Sequence, residues 1–350
     1  MNRLYDALIV GAGLAGSTLA YRLTLAGRNV LLVSDPSIPS ASRTAAGLIN
    51  PVTGQRLVLQ EGAEALLASA KHFYRGIEAR FGVSILHECE MLRILCSEKE
   101  KQAWENRTGD PAYNAYIDHE LYDHPDINTG YGGFFQHHTW YLDTNTILDT
   151  LHQWFREQEI LIEAPLSYGD ITIESDNIQW QTVQADKIIF CEGWRGEKNP
   201  WFDWLPFQPA KGEILTLSSD APIPTYMINR GKWLLPTSEG VFKLGATYER
   251  GELNETATED AKQELLDVLE HIFPGRPVTR VTNHMAGVRP GTRDKQPFIG
   301  IHPEHARLGI FNGFGSKGSL MIPWHAEAFT CHLIDGAPLP AQADIRRWHG

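Results

Sequence analysis

No C-x-x-C pair and no metal-ligand spacing occurs among the four cysteines, Cys89, Cys96, Cys191 and Cys331. Neither a zinc site nor a disulfide framework is indicated, and a reducing, cytoplasmic setting is the expectation. No apolar run approaches the ~20 residues of a membrane span. The first one, Leu4 to Val10, is too short for a signal segment and flows straight into glycines, so neither export nor membrane integration is expected. Positive charge is scarce as well: 31 Lys and Arg stand against 43 Asp and Glu, a formal charge of −12, with no basic run. That balance repels phosphate backbones and argues against nucleic acid as a partner. Internal repeats and low-complexity tracts are absent. His119, His124, His137 and His138 lie in an irregular polar stretch without the spacing of a known ligand set, so no metal is expected. The ten tryptophans read as core and interface anchors.

What is present is enough chain, 350 residues, for two interleaved domains or one large α/β body. The opening reads as strand (Tyr5 to Val10), glycine turn, helix (Leu14 to Ala26, stopped by Gly27) and strand (Asn29 to Ser34), one βαβ unit. A second helix is expected over Ala63 to Phe81, ending at Gly82, followed by strand-like alternation from Val83 to Leu95. Trp104 to His138 reads as loops. Further helices are expected over Thr146 to Gln158, Glu259 to Ile272 and Leu320 to Leu333. Strands are expected over Gln184 to Cys191, Ile214 to Leu217, Lys232 to Leu235, Val241 to Ala246 and Leu308 to Phe311.

The turn of the βαβ unit is G-x-G-x-x-G: Gly11, Gly13 and Gly16, with Leu14 and Ala15 opening the helix. The first glycine allows a tight turn, the second lets a pyrophosphate approach the backbone, and the third lets the helix pack closely on the strand. Free N–H groups at the helix start favour that anion. Ser34 and Asp35 end the next strand about 20 residues beyond the turn, where an acidic group accepts ribose hydroxyls. The unit suits an ADP moiety and does not by itself distinguish NAD from FAD. A second small-residue strand end, Cys191-Glu192-Gly193, and a third glycine-rich turn, Gly313 to Gly318, favour a longer and more buried cofactor.

Together with Ser40-Ala-Ser-Arg-Thr-Ala-Ala-Gly-Leu-Ile-Asn-Pro51, Pro209-Ala-Lys-Gly-Glu213, Gly245-Ala-Thr-Tyr-Glu249 and Gly287-Val-Arg-Pro-Gly-Thr-Arg-Asp-Lys-Gln-Pro-Phe-Ile-Gly300, these segments resemble the D-amino-acid oxidase family of FAD-dependent oxidoreductases. The glycine oxidase and sarcosine oxidase branches are most similar, over nearly the full length. The resemblance implies an α/β fold with a Rossmann-like FAD domain from 1–85, 140–205 and 285–350. It implies a substrate domain with a large mixed or antiparallel sheet from 86–139 and 206–284. Ser42, Arg43 and Thr44 would meet the pyrophosphate or ring edge. Ala46 and Gly47 would lie by the flavin, and Leu166, Cys191, Glu192, Gly193 and Gly287 would complete the cofactor shell. The turn Gly313, Gly315, Ser316, Lys317, Gly318, Ser319 and Leu320 would point the final helix at the pyrimidine end, where a helix N-terminus steadies negative charge. Relatives with covalent flavin use a C-terminal cysteine or an N-terminal histidine. No Cys lies between 192 and 330 and no His between 1 and 71, so FAD is expected to be non-covalent.

The implied reaction is oxidation of the C–N bond of a small amino acid or secondary amine, with hydride passing to flavin N5 and the imine then hydrolysed. Oxygen or another acceptor would reoxidise the flavin. Arg289 matches the position that clamps the substrate carboxylate, a task a forked guanidinium suits, and a structural salt bridge is its other reading. Trp233 falls where relatives place an active-site aromatic, or else in the core. Lys317 is either a cation near the flavin or a solvated loop lysine. Asn50 either lines the pocket or caps the turn before Pro51. Two other readings stand beside this one: a standalone relative of the FAD oxidase domain of tRNA wobble-uridine modification enzymes, and a flavin-binding electron-transfer subunit. A homo-oligomer or protein partner is left open.

Overall fold

A computed structural model describes residues 4–275 and 280–349. Residues 1–3, 276–279 and 350, which fall inside the expected domain segments, lie outside the described residues.

In strand Leu4–Val10 the last four residues, Ala7 to Val10, are continuously apolar because both faces are covered there. Ala7 and Ile9 point into one core with Leu19, Phe73, Ile147, Leu151 and Phe329. Leu8 and Val10 point into the opposite core with Leu31, Ile188, Phe190 and Phe202. The strand is central in an eight-stranded sheet whose order is Leu161–Glu163, Val30–Ser34, Leu4–Val10, Val183–Phe190, Ile178–Trp180 and Ile171–Ile173. Leu308–Asn312 also runs parallel to Val183–Phe190, and Phe298–Ile301 pairs antiparallel with it. Helices Leu14–Leu25, Ala63–Phe81, Thr144–Glu157 and Gly318–Asp335 lie over the first core. This half carries the βαβ unit read from the sequence.

The other half is a seven-stranded sheet, ordered Arg280–Arg289, Ala210–Ser218, Val241–Gly245, Lys232–Ser238, Met227–Arg230, Met91–Ile94 and Gly133–Gln136. It is antiparallel except where Met227–Arg230 runs parallel to Met91–Ile94. One face packs on helix Glu259–Ile272 through Leu215, Phe242, Leu244 and Leu265. The other face turns towards the first sheet. Strand Arg280–Arg289 spans residue 285, so it reaches from the second sheet into the segment expected to belong to the cofactor domain.

The stretch expected to be loops holds more order. Trp104 sits in helix Glu98–Thr108, whose polar sequence gives no apolar period, although Ser97 accepts the Glu100 N–H as an N-cap. Buried Glu100 is paired with buried Arg93 at 3.1 Å. Gly133–Gln136 closes an edge of the second sheet. His137 lies between Asp118 (2.7 Å) and Glu90 (3.2 Å), carboxylates that hold its ring nitrogens.

The C-terminal helix carries Pro323, which offers no N–H to the carbonyl four residues back. The buried Tyr74 hydroxyl fills that gap, donating to the Ser319 carbonyl at 2.8 Å. One turn on, His325 is buried, with Nδ1 at 2.8 Å from the Met321 carbonyl and Nε2 without a partner. Burial pushes this imidazole down to about 4 from its ordinary value of 6.5. The unfolded chain takes up the proton below about pH 6.5, whereas the folded protein resists it until about pH 4. His325 therefore leaves stability intact above that interval and lowers it as the pH falls through it, by about 3 kcal/mol at the acid end. Denaturation midpoints at about pH 7 and about pH 5 check this: His325→Leu should lose less stability between the two than the parent.

Candidate cofactor and substrate site

The glycine turn is built for close approach. Gly11 has φ of +102°, and a Cβ there would sit 2.5 Å from the Cys191 carbonyl oxygen. At Gly16 a Cβ would overlap the Gly11 carbonyl, so this glycine lets the helix lie on the strand, the packing role expected of it. At Gly13 a Cβ would meet Ser42 Oγ at 3.3 Å. Ser42 Oγ accepts the Leu14 N–H at 3.0 Å, bringing the 40–47 segment over the turn. Neither helix Leu14–Leu25 nor helix Gly318–Asp335 has a side-chain N-cap.

Both helix starts open on one cavity of about 680 Å³ that runs between the two sheets. At one end lie Ser34, Asp35, Ile38 and Pro39; then come Gly11, Gly13, Leu14 and Ala15. The middle is walled by Ser40, Ser42, Thr44, Ala46, Gly47, Leu166, Cys191, Glu192 and Gly193. The far end holds Gly212, Ile214, Trp233, Thr247, Tyr248, Gly287 and Arg289, with Gly315, Ser316, Gly318 and Ser319. Most of the residues named from the sequence are thus brought together. Asp35 is held below the usual carboxylate range by the Ser37 hydroxyl and then the Ser37 N–H, both on Oδ1. Burial pushes the Cys191 thiol and the Glu192 carboxyl upward. Asn199 Nδ2 and the Tyr168 hydroxyl donate to Glu192 at 2.9 and 2.8 Å and offset part of that shift.

Arg289 sits deep in the cavity with its guanidinium over Gly212, where a Cβ would overlap it. Its Nη atoms donate to the Thr247 carbonyl (3.3 Å each) and Nη1 to the Lys211 carbonyl (3.4 Å). Among the described residues no carboxylate pairs with it, so the salt-bridge reading has no partner. Burial lowers its proton affinity, as expected for a cation answered only by carbonyl dipoles and the ring of Tyr248, 6.0 Å away. An anion there would complete it. Trp233 lines the same end, packed over Gly245.

Six residues named from the sequence do not line the cavity. Arg43 turns away to Asp149 at 2.6 Å and to Asn145, because a carboxylate outside the cavity is within its reach. Lys317 donates to Gln60 Oε1 at 2.6 Å and is half-buried, which lowers its proton affinity; it lies outside the cavity. Asn50 caps the turn, accepting the Val52 N–H at 3.0 Å and donating to Gln136, so its turn role is the one seen. Gly313, at φ of +83°, packs on Thr292, while Leu320 is buried in the core and Gly16 faces the strand. Residues not singled out from the sequence are Trp194, Arg195, Thr247, Tyr248 and Asn312. Asn312 Nδ2 donates to the Gly193 carbonyl at 2.8 Å and ties the second glycine turn to the third. The Gly245 to Glu249 segment gave the one sequence signal for this group.

A cradle that side chains would fill, two helix starts whose own N-cap residues offer no side-chain acceptor, and a long cavity fit a dinucleotide. The sequence pattern of the FAD dependent oxidoreductase (DAO) family matches residues 6–331. The chain belongs to this family. It is an FAD-dependent oxidoreductase. It is similar to glycine oxidase of Bacillus subtilis (strain 168), 24% identical over 343 residues, covering 92% of this chain and 91% of that one. It is also similar to the tRNA 5-methylaminomethyl-2-thiouridine biosynthesis bifunctional protein of Azoarcus sp. (strain BH72), 25% identical, covering 97% of this chain and 58% of that one. Among solved structures, glycine oxidase from Bacillus cereus ATCC 14579 superimposes with a TM-score of 0.83 at 21% identity, covering 95% and 96% of the two chains. That likeness fixes the fold, including the mixed and antiparallel sheets. Among the described residues no helix is long and apolar enough to cross a membrane.

Proposed function

We propose that this oxidoreductase oxidises the C–N bond of a small amino acid or secondary amine bearing a carboxylate. The observation that carries the reading is Arg289: a half-buried guanidinium at the end of the cofactor cavity with no carboxylate of its own among the described residues. We assign the eight-stranded sheet to the cofactor and the seven-stranded sheet to the substrate. FAD, held non-covalently, supplies the acceptor for the hydride that leaves the α-carbon. The chain supplies position and dryness. Arg289 binds the carboxylate by its fork; Trp233 and Ile214 form apolar walls beside the reacting carbon, and the exposed Tyr248 stands at the cavity mouth. Trp233 offers an indole N–H donor and no acceptor, so it cannot take the proton from the amine. The uncapped start of helix Gly318–Asp335 presents backbone N–H groups to negative charge at the flavin end. Water then hydrolyses the imine to a carbonyl acid and the free amine.

The likeness to glycine oxidases supports this reaction class, and the tRNA-modifying relative, named for a methylaminomethyl group, is consistent with an amine as the group acted on. The charge of −12 opposes a tRNA acting without another protein. Incubating the FAD-replete protein with glycine, sarcosine and related amines tests the proposal by product analysis. A carbonyl acid together with ammonia or amine is expected; absence of both from every amine would overturn it.

A further inference from the structure

The segment 247–258 leaves the seven-stranded sheet beside Arg289 and crosses to the nucleotide side of the cavity. Its root is fixed in the protein interior. Lys211 exchanges backbone hydrogen bonds with Glu249 (2.8 and 3.0 Å), and Lys211 Nζ donates to Asn254 Oδ1 at 3.1 Å. Glu213, buried and 3.2 Å from Lys211 Nζ, accepts both the N–H (2.8 Å) and the hydroxyl (3.0 Å) of Thr258. His284 Nε2 lies 2.9 Å from the same carboxylate. Between these anchors Glu255 reaches across to the other half of the molecule. Its Oε1 accepts from Trp194 Nε1 and from Arg195 Nη2, both at 3.0 Å. Trp194 and Arg195 line the cavity directly after the second glycine turn, and Arg195 Nη1 continues to the Pro39 carbonyl at 3.4 Å on the opposite lip.

We infer that Glu255 is a latch that holds the nucleotide half of the cavity closed over FAD, through Arg195 to the lip at Pro39. The inference rests on the reading that the adenosine half of FAD lies by Ser34 to Pro39. Glu255 is a positioning residue: it touches the wall, and the wall touches the cofactor. The bond is charge-assisted and only partly exposed, which makes it one of the stronger kinds. Its loss frees Arg195 and Trp194 together.

The test is FAD release from the holoenzyme on dilution, followed by the fluorescence of liberated flavin. Glu255→Ala is expected to speed release about tenfold, Glu255→Gln less, and Arg195→Ala about as much as Glu255→Ala. The melting temperature of the holoprotein should fall further than that of the apoprotein, because the latch also retains the cofactor. Release at the parental rate from both alanine variants overturns the inference, as does faster release accompanied by an equal destabilisation of the apoprotein in both Glu255 variants. If the parent binds FAD tightly yet oxidises no amine, the functional proposal fails and the latch still stands on its own readout.

Discussion

Replacing Arg289 with alanine is expected to raise the Michaelis constant for a carboxylate-bearing amine about 100-fold, with FAD still bound. The reason is the environment of the guanidinium. It is half-buried over Gly212 and, among the described residues, meets the carbonyls of Lys211 and Thr247 and the ring of Tyr248 with no carboxylate. A substrate carboxylate there gains a charge-assisted fork in a dry site, and removing one partner of such a pair costs roughly 3 kcal/mol. Arg289→Lys should recover little of it, since an ammonium cannot make two parallel bonds and would leave the Thr247 carbonyl unmatched. Steady-state kinetics on an amino acid and on its amide separates the outcomes. The variant should flatten the difference between the two substrates; an unchanged constant for the amino acid would remove Arg289 from the site.

The second large effect lies at the other end of the cavity. Gly11→Ala should abolish stoichiometric FAD. At φ of +102° an alanine is strained, and its Cβ would stand 2.5 Å from the Cys191 carbonyl oxygen, which belongs to a neighbouring strand end and cannot swing aside. Relief requires the first and second glycine turns to part, which widens the cradle meant for the pyrophosphate. Strain and overpacking together come to about 3 kcal/mol. Two measurements check this. Flavin freed into the supernatant by acid precipitation should fall from near one per chain to a small fraction, and the denaturation midpoint should drop. Full flavin content in the variant would show that the cofactor does not depend on this turn.

The sequence showed these two ends unequally. The glycine turn was legible because its constraints are local: a strand, a positive φ and a helix start follow one another in the chain. Helix Ala63–Phe81 and its stop at Gly82, with φ of +68°, were legible for the same reason. Helix Glu98–Thr108 was not, because Arg93 and the second sheet hold it in place and no apolar stripe marks it. Side-chain direction was the hardest thing to read. Arg43, Asn50 and Lys317 were correctly near the cavity in sequence, yet Asp149, Gln136 and Gln60 turn them elsewhere. The Lys317 partner is 257 residues away along the chain. Glu255 was invisible for a related reason, since its role arises only where a strap from one sheet meets the other, whereas Tyr248 showed only as part of the Gly245 to Glu249 segment.

The most direct test of the central claim is anaerobic mixing of the FAD-loaded protein with an amino acid, its amide and the matching 2-hydroxy acid, while the visible flavin bands are followed. Bleaching by the amino acid or its N-alkyl derivative is expected, with far weaker bleaching by the amide and none by the hydroxy acid. Bleaching by the hydroxy acid alone, or by no amine at all, would contradict that claim.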